Sequence, residues 1–437
     1  MNLLSPYLPH LAVIGAAGKM GRGIAWLLLK LILYSPKSHK ITLLLIDIQD
    51  SAFNDLKIYL LNQLKKDFNK NITAYEKAFN LSNNIDGLEK KVIQQTKNIL
   101  NFSTDYDKLN NKKIIFEAIP EIPQIKINVL SDISKIIPQE AIIYSNTSSI
   151  PIHFLENHTQ LKGRIIGFHF YNPPPVQPLV ELIISKNNTP QSLQVAEYFL
   201  KCLGKTKVTS NDIAGFIGNG HFIREGLFAL NKVEASMHKK SHNKKHTSSS
   251  ETFLRINQVY EQYLLRPMGI FQLIDYVGLD IFKSITDVMS DNIKGESFHS
   301  NLLDDLIKNT NPGGQTPDGN QKDGIFKYRK RDIIAVYDMT KKTYINLNQL
   351  PVLKKSNHQL TWKTFKTSNA PQAHLQNHFK SIKMSHHSNL ISECLNKSNS
   401  IANTLLKNNV ASHQGDIDTV LKMGFHHLYG PFEIDHI

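Results

Sequence analysis

The amino-acid sequence predicts an α/β fold in which a doubly wound, mostly parallel sheet domain precedes an all-α domain. Within residues 9–209, apolar strand-like runs alternate with amphipathic helical runs, the order that gives a parallel sheet covered by helices on both faces. A glycine-rich turn lies between the first strand and the first helix. From Ala214 onward, only helical periodicity is visible. At 437 residues, the chain is long enough for two or three such domains.

The turn after the first strand has the composition of a phosphate-binding loop. Residues 11–14 are an apolar run, and three glycines follow with two residues between each, a spacing one residue longer than the usual G-x-G-x-x-G. Glycines at such a turn let the backbone approach a pyrophosphate, whose charge is met by the helix N-terminus. The predicted cofactor-binding residues of this loop are Gly15, Gly18, Lys19, Met20 and Gly21.

The second predicted strand ends in an acidic residue. Residues 41–46 form an apolar run, and Asp47 follows it directly. A carboxylate at this place accepts hydrogen bonds from the ribose hydroxyls of an adenine dinucleotide, and it would repel the 2′-phosphate of NADP. Asp47 is therefore predicted to favour NAD over NADP.

Two further strand-like runs carry polar residues just after their carboxyl ends. Residues 114–117 lead into a turn with Glu121, followed by a helix that carries Lys126. Residues 141–144 lead into the turn that carries Ser148. Ligands of open α/β sheets bind at the carboxyl ends of the strands, so these side chains are predicted to share one edge with the glycine loop. For Ser148, helix capping is the alternative to a place in the cleft.

A histidine and a glutamate twelve positions apart are the main candidates for catalysis. Residues 164–170 predict a strand with His169 at its end, and residues 179–184 predict an antiparallel neighbour. The proline-rich loop between them cannot be helical. Glu181 would lie beside His169, fix the tautomer of its ring, and leave the second nitrogen free to accept a proton from a substrate hydroxyl. A purely structural His–Glu pair is the alternative.

In their order and spacing, these motifs resemble those of the L-3-hydroxyacyl-CoA dehydrogenase family. Residues 211–219 resemble the family's entry into its helical domain, and residues 267–280 resemble a signature inside that domain. The signature returns in residues 416–435. The predicted domains are an NAD-binding Rossmann-like domain at residues 9–209, a helical C-terminal domain at residues 210–330, and a second, divergent or incomplete helical copy at residues 331–437.

The resemblance implies an NAD-dependent enzyme that reversibly oxidises (3S)-3-hydroxyacyl-CoA to 3-oxoacyl-CoA, in fatty-acid β-oxidation or short-chain acyl metabolism. His169 would be the general base, and Glu181 would orient it. Ser148 and Asn219 would hydrogen-bond the substrate oxygens. The resemblance also implies cofactor contacts at Glu121, Lys126, Ser148 and Asn172, and acyl-CoA contacts at Lys65, Lys66 and Lys70. A homodimer formed through the helical domain is the assembly that it implies.

The charge of the chain bears on its partners. Lys and Arg number 51 against 37 Asp and Glu, a net charge of +14. The lysines are interspersed with asparagine, and no nucleic-acid-binding motif accompanies them. This usage indicates a compositional bias of the source more than a binding face, and nucleic-acid binding is not expected. Attraction of the acidic phosphates of coenzyme A is the functional alternative, and for each of Lys65, Lys66 and Lys70 a solvated lysine face is an equal alternative.

Metal binding and membrane insertion are not predicted. The chain has only two cysteines, which gives neither a disulfide framework nor a thiolate metal site. Residues 238–250 are polar and of low complexity, and a solvated surface loop is preferred there over a metal site formed by their histidines. The apolar run at residues 24–34 is too short to span a bilayer and is interpreted as a buried helix. No secretory signal is visible, so a cytoplasmic protein is expected.

Two alternatives remain open. A related β-hydroxyacid dehydrogenase would use the same cofactor fold, but such enzymes generally rely on a catalytic lysine and not on a His–Glu pair. A catalytically impaired NAD-binding homologue would account for the altered glycine spacing and for Gly220, where the family usually has an arginine. The presence of Ser148, His169, Glu181 and Asn219 opposes the second alternative.

Overall fold

The structure is a computed structural model of the chain. It describes residues 4, 6–35, 38–82, 84–238, 248–316, 319–350, 361–367, 371–382 and 388–433. The chain divides into two compact units, Met1–Asp212 and Ile213–Ile437. The further domain boundary proposed at residue 331 stays a prediction.

The described part of the first unit contains eight strands in one sheet, in the order β3-β2-β1-β4-β5-β6-β7-β8. The strands are β1 (Leu11–Ile14), β2 (Leu43–Ile46), β3 (Leu100–Ser103), β4 (Ile114–Glu117), β5 (Ile142–Ser145), β6 (Ile165–Phe170), β7 (Leu179–Ile184) and β8 (Thr206–Asn211). Chain order reverses direction between β1 and β4, which is the hallmark of a doubly wound sheet. The predicted fold class is confirmed.

Helices cover the sheet. They are α1 (Lys19–Leu33), α2 (Ala52–Lys70), α3 (Ile72–Phe79), α4 (Ile85–Ile99), α5 (Pro123–Ser134), α6 (Ile152–Asn157) and α7 (Pro190–Cys202). Strands β1, β2, β4 and β5 are buried at every position, as expected of parallel strands with both faces covered. The apolar run at residues 24–34 lies mostly in α1, where most of its side chains are buried, so the interpretation as a buried helix is confirmed.

Strand direction brings the predicted polar residues to one edge. Strands β2, β1, β4, β5 and β6 are parallel to their neighbours in this order, so their carboxyl ends face the same way. Gly15, Asp47, Glu121, Ser148 and His169 all lie at or just after these ends. Strand β7 runs antiparallel to β6, as predicted from the short proline-rich connection.

The second unit is largely helical, as predicted. Its helices are α8 (Gly218–His238), α9 (Ser249–Gln258), α10 (Ile270–Val277), α11 (Leu279–Asn292), α12 (Asn301–Asn309), α13 (Trp362–Lys366), α14 (Pro371–Ile382), α15 (Ser388–Lys407) and α16 (Gln414–Gly424). The helical run at residues 271–289 is divided into two helices. They are separated at Gly278, whose φ of 111° falls in a region that suits glycine.

The expectation that every element after Ala214 is a helix is wrong. A three-stranded antiparallel sheet is formed by β9 (Phe326–Arg329), β10 (Asp332–Asp338) and β11 (Thr343–Asn346). Strands β9 and β11 have four residues each and carry exposed polar side chains. The alternation of apolar and polar residues is therefore too short to predict a strand from the sequence. Asp275 of α10 anchors β9, because its carboxylate accepts hydrogen bonds from the backbone N–H of Ile325 at 2.7 Å and of Phe326 at 2.9 Å.

The faint internal repeat has a counterpart in local geometry. A Cβ added to Gly269 would lie 2.2 Å from the side chain of Asn257, and one added to Gly430 would lie 2.0 Å from that of Asp418. In both places the polar residue stands twelve positions before the glycine. Its side-chain oxygen accepts a hydrogen bond from a backbone N–H that lies two or three residues after the glycine. The second copy of the helical domain stays a prediction.

Residues 239–247, most of the predicted surface loop, lie outside the described residues. Across the described part of the chain, no helix combines the length and the apolar character that a membrane span requires.

Candidate active site

The glycine loop joins β1 to α1 with very little space around its backbone. Gly15 has a φ of +74°, and a Cβ there would lie 2.6 Å from the carbonyl oxygen of Ala118. A Cβ on Gly21 would lie 1.9 Å from the carbonyl oxygen of Gly15. Gly18 is less restricted, with its nearest such contact at 3.3 Å, and it stands at the N-cap of α1. The loop therefore presents bare backbone and a helix N-terminus, which is the arrangement that binds a pyrophosphate.

Asp47 is tied to the glycine loop. Its Oδ2 accepts a hydrogen bond from the backbone N–H of Ala17 at 2.8 Å, and its Oδ1 accepts one from Ile48 at 2.9 Å. The carboxylate is thus held at the end of β2, beside the loop and partly exposed. This is the position from which a carboxylate can accept hydrogen bonds from an adenosine ribose.

The His169–Glu181 pair is formed across β6 and β7. The two residues are register partners, and Nδ1 of His169 lies 3.3 Å from Oε1 of Glu181. Glu181 is fully buried, while His169 keeps 7% of its surface exposed. The hydroxyl of Tyr171 donates to the same Oε1 at 2.5 Å. Burial, together with the nearby Glu181 carboxylate, raises the pKa of Tyr171 well above its ordinary value, so the hydroxyl remains a donor.

The turn that carries Ser148 closes around one oxygen of Glu121. This Oε1 accepts hydrogen bonds from the backbone N–H of Ser148 at 2.7 Å and of Ser149 at 2.9 Å. It also accepts the hydroxyls of Thr147 at 2.8 Å, Ser149 at 3.0 Å and Ser148 at 3.2 Å. Glu121 therefore fixes where the Ser148 side chain can be.

The proline-rich loop between β6 and β7 packs against α1. A Cβ on Gly23 would meet the ring of Pro174 at 2.9 Å, so this helix position also needs glycine. Asn172 lies at the start of the loop, and its carbonyl oxygen accepts the side-chain amide of Gln177 at 3.3 Å. Nζ of Lys205 donates to the carbonyl oxygens of Pro174 and Gln177, both at 2.6 Å, and burial lowers the pKa of this lysine to about 8.

The remaining predicted residues belong to three helices. Lys65, Lys66 and Lys70 are exposed on α2, whose buried face is apolar. Asn219 lies in the first turn of α8, in the second unit. Lys126 is almost fully buried, with Nζ 2.6 Å from Oε1 of Glu117.

Several residues of the site were not found from the sequence. They are Glu117, Ser145, Tyr171 and Lys205. Position at a strand end was the available signal for Glu117 and Ser145. Tyr171 could have been found from its place two residues after His169, directly after the end of the strand.

The glycine loop and the Asp47 carboxylate define a dinucleotide-binding protein, and the His169–Glu181 pair gives it a candidate acid–base group at the carboxyl edge of the sheet. This combination is typical of the NAD-dependent oxidoreductases. Comparisons with known proteins identify the family. The model for the NAD binding domain of 3-hydroxyacyl-CoA dehydrogenase matches residues 10–213, and the model for the C-terminal domain of the same enzyme matches residues 228–323.

Individual relatives agree with these matches. A putative fatty acid oxidation complex trifunctional enzyme of Rickettsia prowazekii is 30% identical over 437 residues, which is 97% of this chain and 52% of that protein. A 3-hydroxybutyryl-CoA dehydrogenase of Mycobacterium tuberculosis is 31% identical over 198 residues, covering 45% of this chain and 65% of the relative. The crystal structure of 3-hydroxybutyryl-CoA dehydrogenase from Escherichia coli shares the fold, with a TM-score of 0.62 at 20% identity over 97% of this chain and 90% of that one.

The chain belongs to the 3-hydroxyacyl-CoA dehydrogenase family, and its first unit is the family's NAD-binding domain. It spans about half the length of the Rickettsia relative and 65% of the Mycobacterium relative.

Proposed function

We propose that this protein oxidises (3S)-3-hydroxyacyl-CoA reversibly to 3-oxoacyl-CoA with NAD, as a step of fatty-acid β-oxidation or short-chain acyl metabolism. The observation that carries the proposal is the buried His169–Glu181 pair, with Nδ1 3.3 Å from Oε1, at the sheet edge where the glycine loop lies. Family membership and the match of the NAD binding domain support the choice of cofactor and substrate class.

In this mechanism His169 is the general base. Its Nδ1–H donates to Glu181, so Nε2 is the nitrogen that accepts the proton of the 3-hydroxyl group. The carboxylate stabilises the imidazolium that forms, and the Tyr171 hydroxyl helps to hold that carboxylate in place. Bound NAD supplies the hydride acceptor. Ser148, fixed by Glu121, would hydrogen-bond a substrate oxygen, and Asn219 is proposed to do the same.

The glycine loop fits the pyrophosphate of NAD. Its backbone is packed too closely for side chains at Gly15 and Gly21, and α1 begins at its end. Lys19 and Met20 open that helix, and Asp47 would hold the ribose.

The assignment of the glycine loop to the pyrophosphate is tested by comparing Gly21→Ala with Gly18→Ala. Gly21→Ala should abolish NAD binding, measured by quenching of protein fluorescence, while Gly18→Ala should weaken it only slightly.

The reaction itself is tested by following NADH formation with 3-hydroxybutyryl-CoA, and NADH consumption with acetoacetyl-CoA. We expect turnover in both directions for the unaltered protein, loss of turnover in His169→Gln, and full turnover in His158→Gln, an exposed histidine of the same unit. NAD binding without turnover of any 3-hydroxyacyl-CoA would refute the proposal in favour of a catalytically impaired homologue. Turnover of free hydroxyacids only would favour a related β-hydroxyacid dehydrogenase.

We further propose that the exposed lysines of α2 attract the phosphates of coenzyme A. Lys65, Lys66 and Lys70 lie within six positions of one another near the end of the helix. Replacing all three by glutamine should raise KM for 3-hydroxybutyryl-CoA and leave KM for its N-acetylcysteamine thioester unchanged, because that analogue lacks the phosphates. Lys90→Gln, an exposed lysine on α4, is the matched control. Equal KM changes for both thioesters would contradict a phosphate contact.

Assembly through the helical unit, as a homodimer, is also a proposal. Sedimentation equilibrium of the full chain decides between a monomer and a dimer.

A further inference from the structure

The proline-rich loop, residues 171–178, connects β6 to β7, the strands that carry the proposed base and its carboxylate. Four of its eight residues are prolines, which have no backbone N–H to donate. The backbone N–H groups of Val176 and Gln177 both donate to the carbonyl oxygen of Pro173, at 3.0 Å. The loop thus has few backbone donors of its own, and its shape depends on donors from other parts of the first unit.

Residues at the start of β8 supply three such donors. Nζ of Lys205 donates to the carbonyl oxygens of Pro174 and Gln177, both at 2.6 Å. The backbone N–H of Thr206, the first residue of β8, donates to the carbonyl oxygen of Pro178 at 2.8 Å. Burial lowers the pKa of Lys205 to about 8, so the ammonium form predominates at neutral pH and both of its hydrogen bonds are charge-assisted. Two consecutive residues therefore hold three carbonyl oxygens of the loop.

The same loop packs against α1. A Cβ on Gly23 would lie 2.9 Å from the ring of Pro174 and 3.0 Å from that of Pro175. Helix α1 is the helix whose N-terminus follows the glycine loop. The proline-rich loop is thus in contact with the helix that would bind the cofactor, while it also continues the strand that carries the proposed base.

The His169–Glu181 pair is held independently of Lys205. Four register pairs join β6 to β7, and His169–Glu181 is one of them. Loss of the Lys205 contacts is therefore expected to leave this pair in place and to release the loop between the two strands. An effect of Lys205 on the spacing of base and cofactor can for this reason be separated from an effect on the base itself.

We propose that Lys205 is a positioning residue for hydride transfer, which holds the proline-rich loop so that the base on β6 and the cofactor helix α1 keep a fixed spacing. This inference rests on the proposed function. In this role Lys205 contacts neither the substrate nor NAD, and it acts through the carbonyl oxygens of Pro174 and Gln177. A displacement of about 1 Å between bound reactants is enough to slow a reaction by on the order of 10²-fold.

The decisive variant is Lys205→Met, which keeps most of the side chain and removes its donors. Hydride transfer is followed as NADH formation in a single turnover of 3-hydroxybutyryl-CoA, because such kinetics separate chemistry from binding and product release. The rate should fall by about 10- to 10²-fold, while the dissociation constant of NAD should stay nearly unchanged. Lys205→Arg should restore most of the rate, because a guanidinium can donate to both carbonyl oxygens. Lys207→Met, which removes a lysine of β8 paired with Glu197, is the matched control and should change neither quantity.

Hydrogen exchange followed by mass spectrometry tests the hold on the loop without substrate. A peptide covering residues 171–179 contains the backbone N–H groups of Val176 and Gln177, whose exchange reports opening of the loop. This peptide should exchange faster in Lys205→Met and at the original rate in Lys207→Met. The measurement remains valid if the proposed reaction is wrong.

A second perturbation reaches the same loop from α1. Gly23→Ala leaves Lys205 intact but forces the rings of Pro174 and Pro175 away from the helix, so it should also slow hydride transfer in a single turnover. The double variant Gly23→Ala/Lys205→Met should be about as slow as the slower single variant, because both changes displace the same loop. A double variant slowed by the product of the two single effects would mean that Lys205 acts elsewhere, and it would contradict the proposal.

Other results would also overturn the inference. If Lys205→Met left exchange of residues 171–179 unchanged, Lys205 would not hold the loop. If exchange became faster while the single-turnover rate stayed the same well below the melting temperature, the role of the lysine would be structural only. Should Lys205→Met fail to fold, Lys205→Gln, which also removes the charge, is judged by the same outcomes. Absence of turnover in the unaltered protein would instead refute the proposed function, and it is detected before any variant is compared.

Discussion

Among the residues that the structure describes, two buried histidines each stand beside a glutamate, and the two pairs differ in position and in surroundings. In the first unit, His169 and Glu181 face each other across antiparallel strands, and the histidine keeps some exposure at a sheet edge. In the second unit, His221 and Glu225 stand one turn apart on α8, with Nδ1 3.7 Å from Oε2, and His221 is fully buried. A histidine beside a carboxylate is therefore a catalytic candidate only where a substrate can reach its second nitrogen.

The surroundings of the second pair make its role structural. Nε2 of His221 lies 3.1 Å from the hydroxyl of Ser398 on α15, and Nη2 of Arg266 lies 3.8 Å from Oε1 of Glu225. The guanidinium also stacks over the ring of Tyr429, at 5.5 Å. The cluster thus joins α8 to segments far along the chain. Burial and the nearby cations Arg266 and Arg224 lower the pKa of His221 to about 3, so this histidine is neutral at ordinary pH.

The largest expected effect separates the two histidines by turnover. His169→Gln should lower kcat by roughly 10²–10⁴-fold, the usual contribution of a positioned acid–base group, and should leave NAD affinity almost unchanged. His221→Gln should leave kcat within a factor of a few, provided that the variant is assayed well below its melting temperature. Steady-state kinetics of both variants test the contrast. If the activity of His169→Gln stayed within a factor of a few, the assignment of the base would be wrong.

The second effect concerns stability, and it should be confined to the pair in the second unit. Glu225→Leu leaves Arg266 buried without its carboxylate, and an arginine cannot discharge by losing a proton. We expect this variant to lose about 3–5 kcal/mol of unfolding free energy in urea titrations followed by circular dichroism. Arg266→Met should cost less, because burial already raises the pKa of Glu225 and the carboxyl can take up a proton. The double variant should be near the stability of the original, and a double variant as unstable as Glu225→Leu would contradict the pairing.

The sequence predicted the first pair and missed the second for a physical reason. Strand ends, glycine spacing and proline are local signals, and they were sufficient to predict that Gly15, Asp47 and His169 share one edge of the sheet. His221 and Glu225 are four residues apart on a helix, a spacing that is equally common on solvated faces. His221 contacts Ser398 of α15, which is 177 positions away in the chain, and no local pattern carries that information.

The short strands β9 to β11 were missed for the same reason. Their position depends on the Asp275 carboxylate, about 50 residues upstream, which holds the start of β9.

The ion pairs of Lys126 could be predicted only in part. Glu121 and Lys126 were predicted near the cofactor, but only the distances show that Nζ of Lys126 lies 2.6 Å from Glu117 and 3.5 Å from Glu121.

The third effect is a pH dependence that belongs to His221. The unfolded chain binds a proton at this histidine below a pH of about 6.5, whereas the folded protein does not until the pH approaches about 3. Stability should therefore fall as the pH drops, by roughly 1 to 2 kcal/mol between pH 6.5 and pH 5 from this group alone. His221→Gln should lack this increment, and His299→Gln, an exposed histidine of the same unit, should keep it. Equal pH dependence in all three proteins would show that His221 titrates normally.

The fourth prediction concerns Tyr171, which contacts the Glu181 carboxylate of the first pair, and its expected effect on kcat is small. Tyr171 donates to the Glu181 oxygen at 2.5 Å, closer than His169 at 3.3 Å, so the tyrosine fixes where that carboxylate stands. Tyr171→Phe removes one hydrogen bond to a charged acceptor, which is commonly worth about 1.5–3 kcal/mol, but Glu181 can recover part of it by moving toward His169. We expect kcat to fall by no more than about tenfold, far less than for Glu181→Gln, with an unchanged KM for NAD. Tyr198→Phe, which changes a partly buried tyrosine of α7, is the control and should leave kcat unchanged. A kcat of Tyr171→Phe as low as that of Glu181→Gln would contradict this ranking, because it would mean that the carboxylate does not act on His169 without the tyrosine.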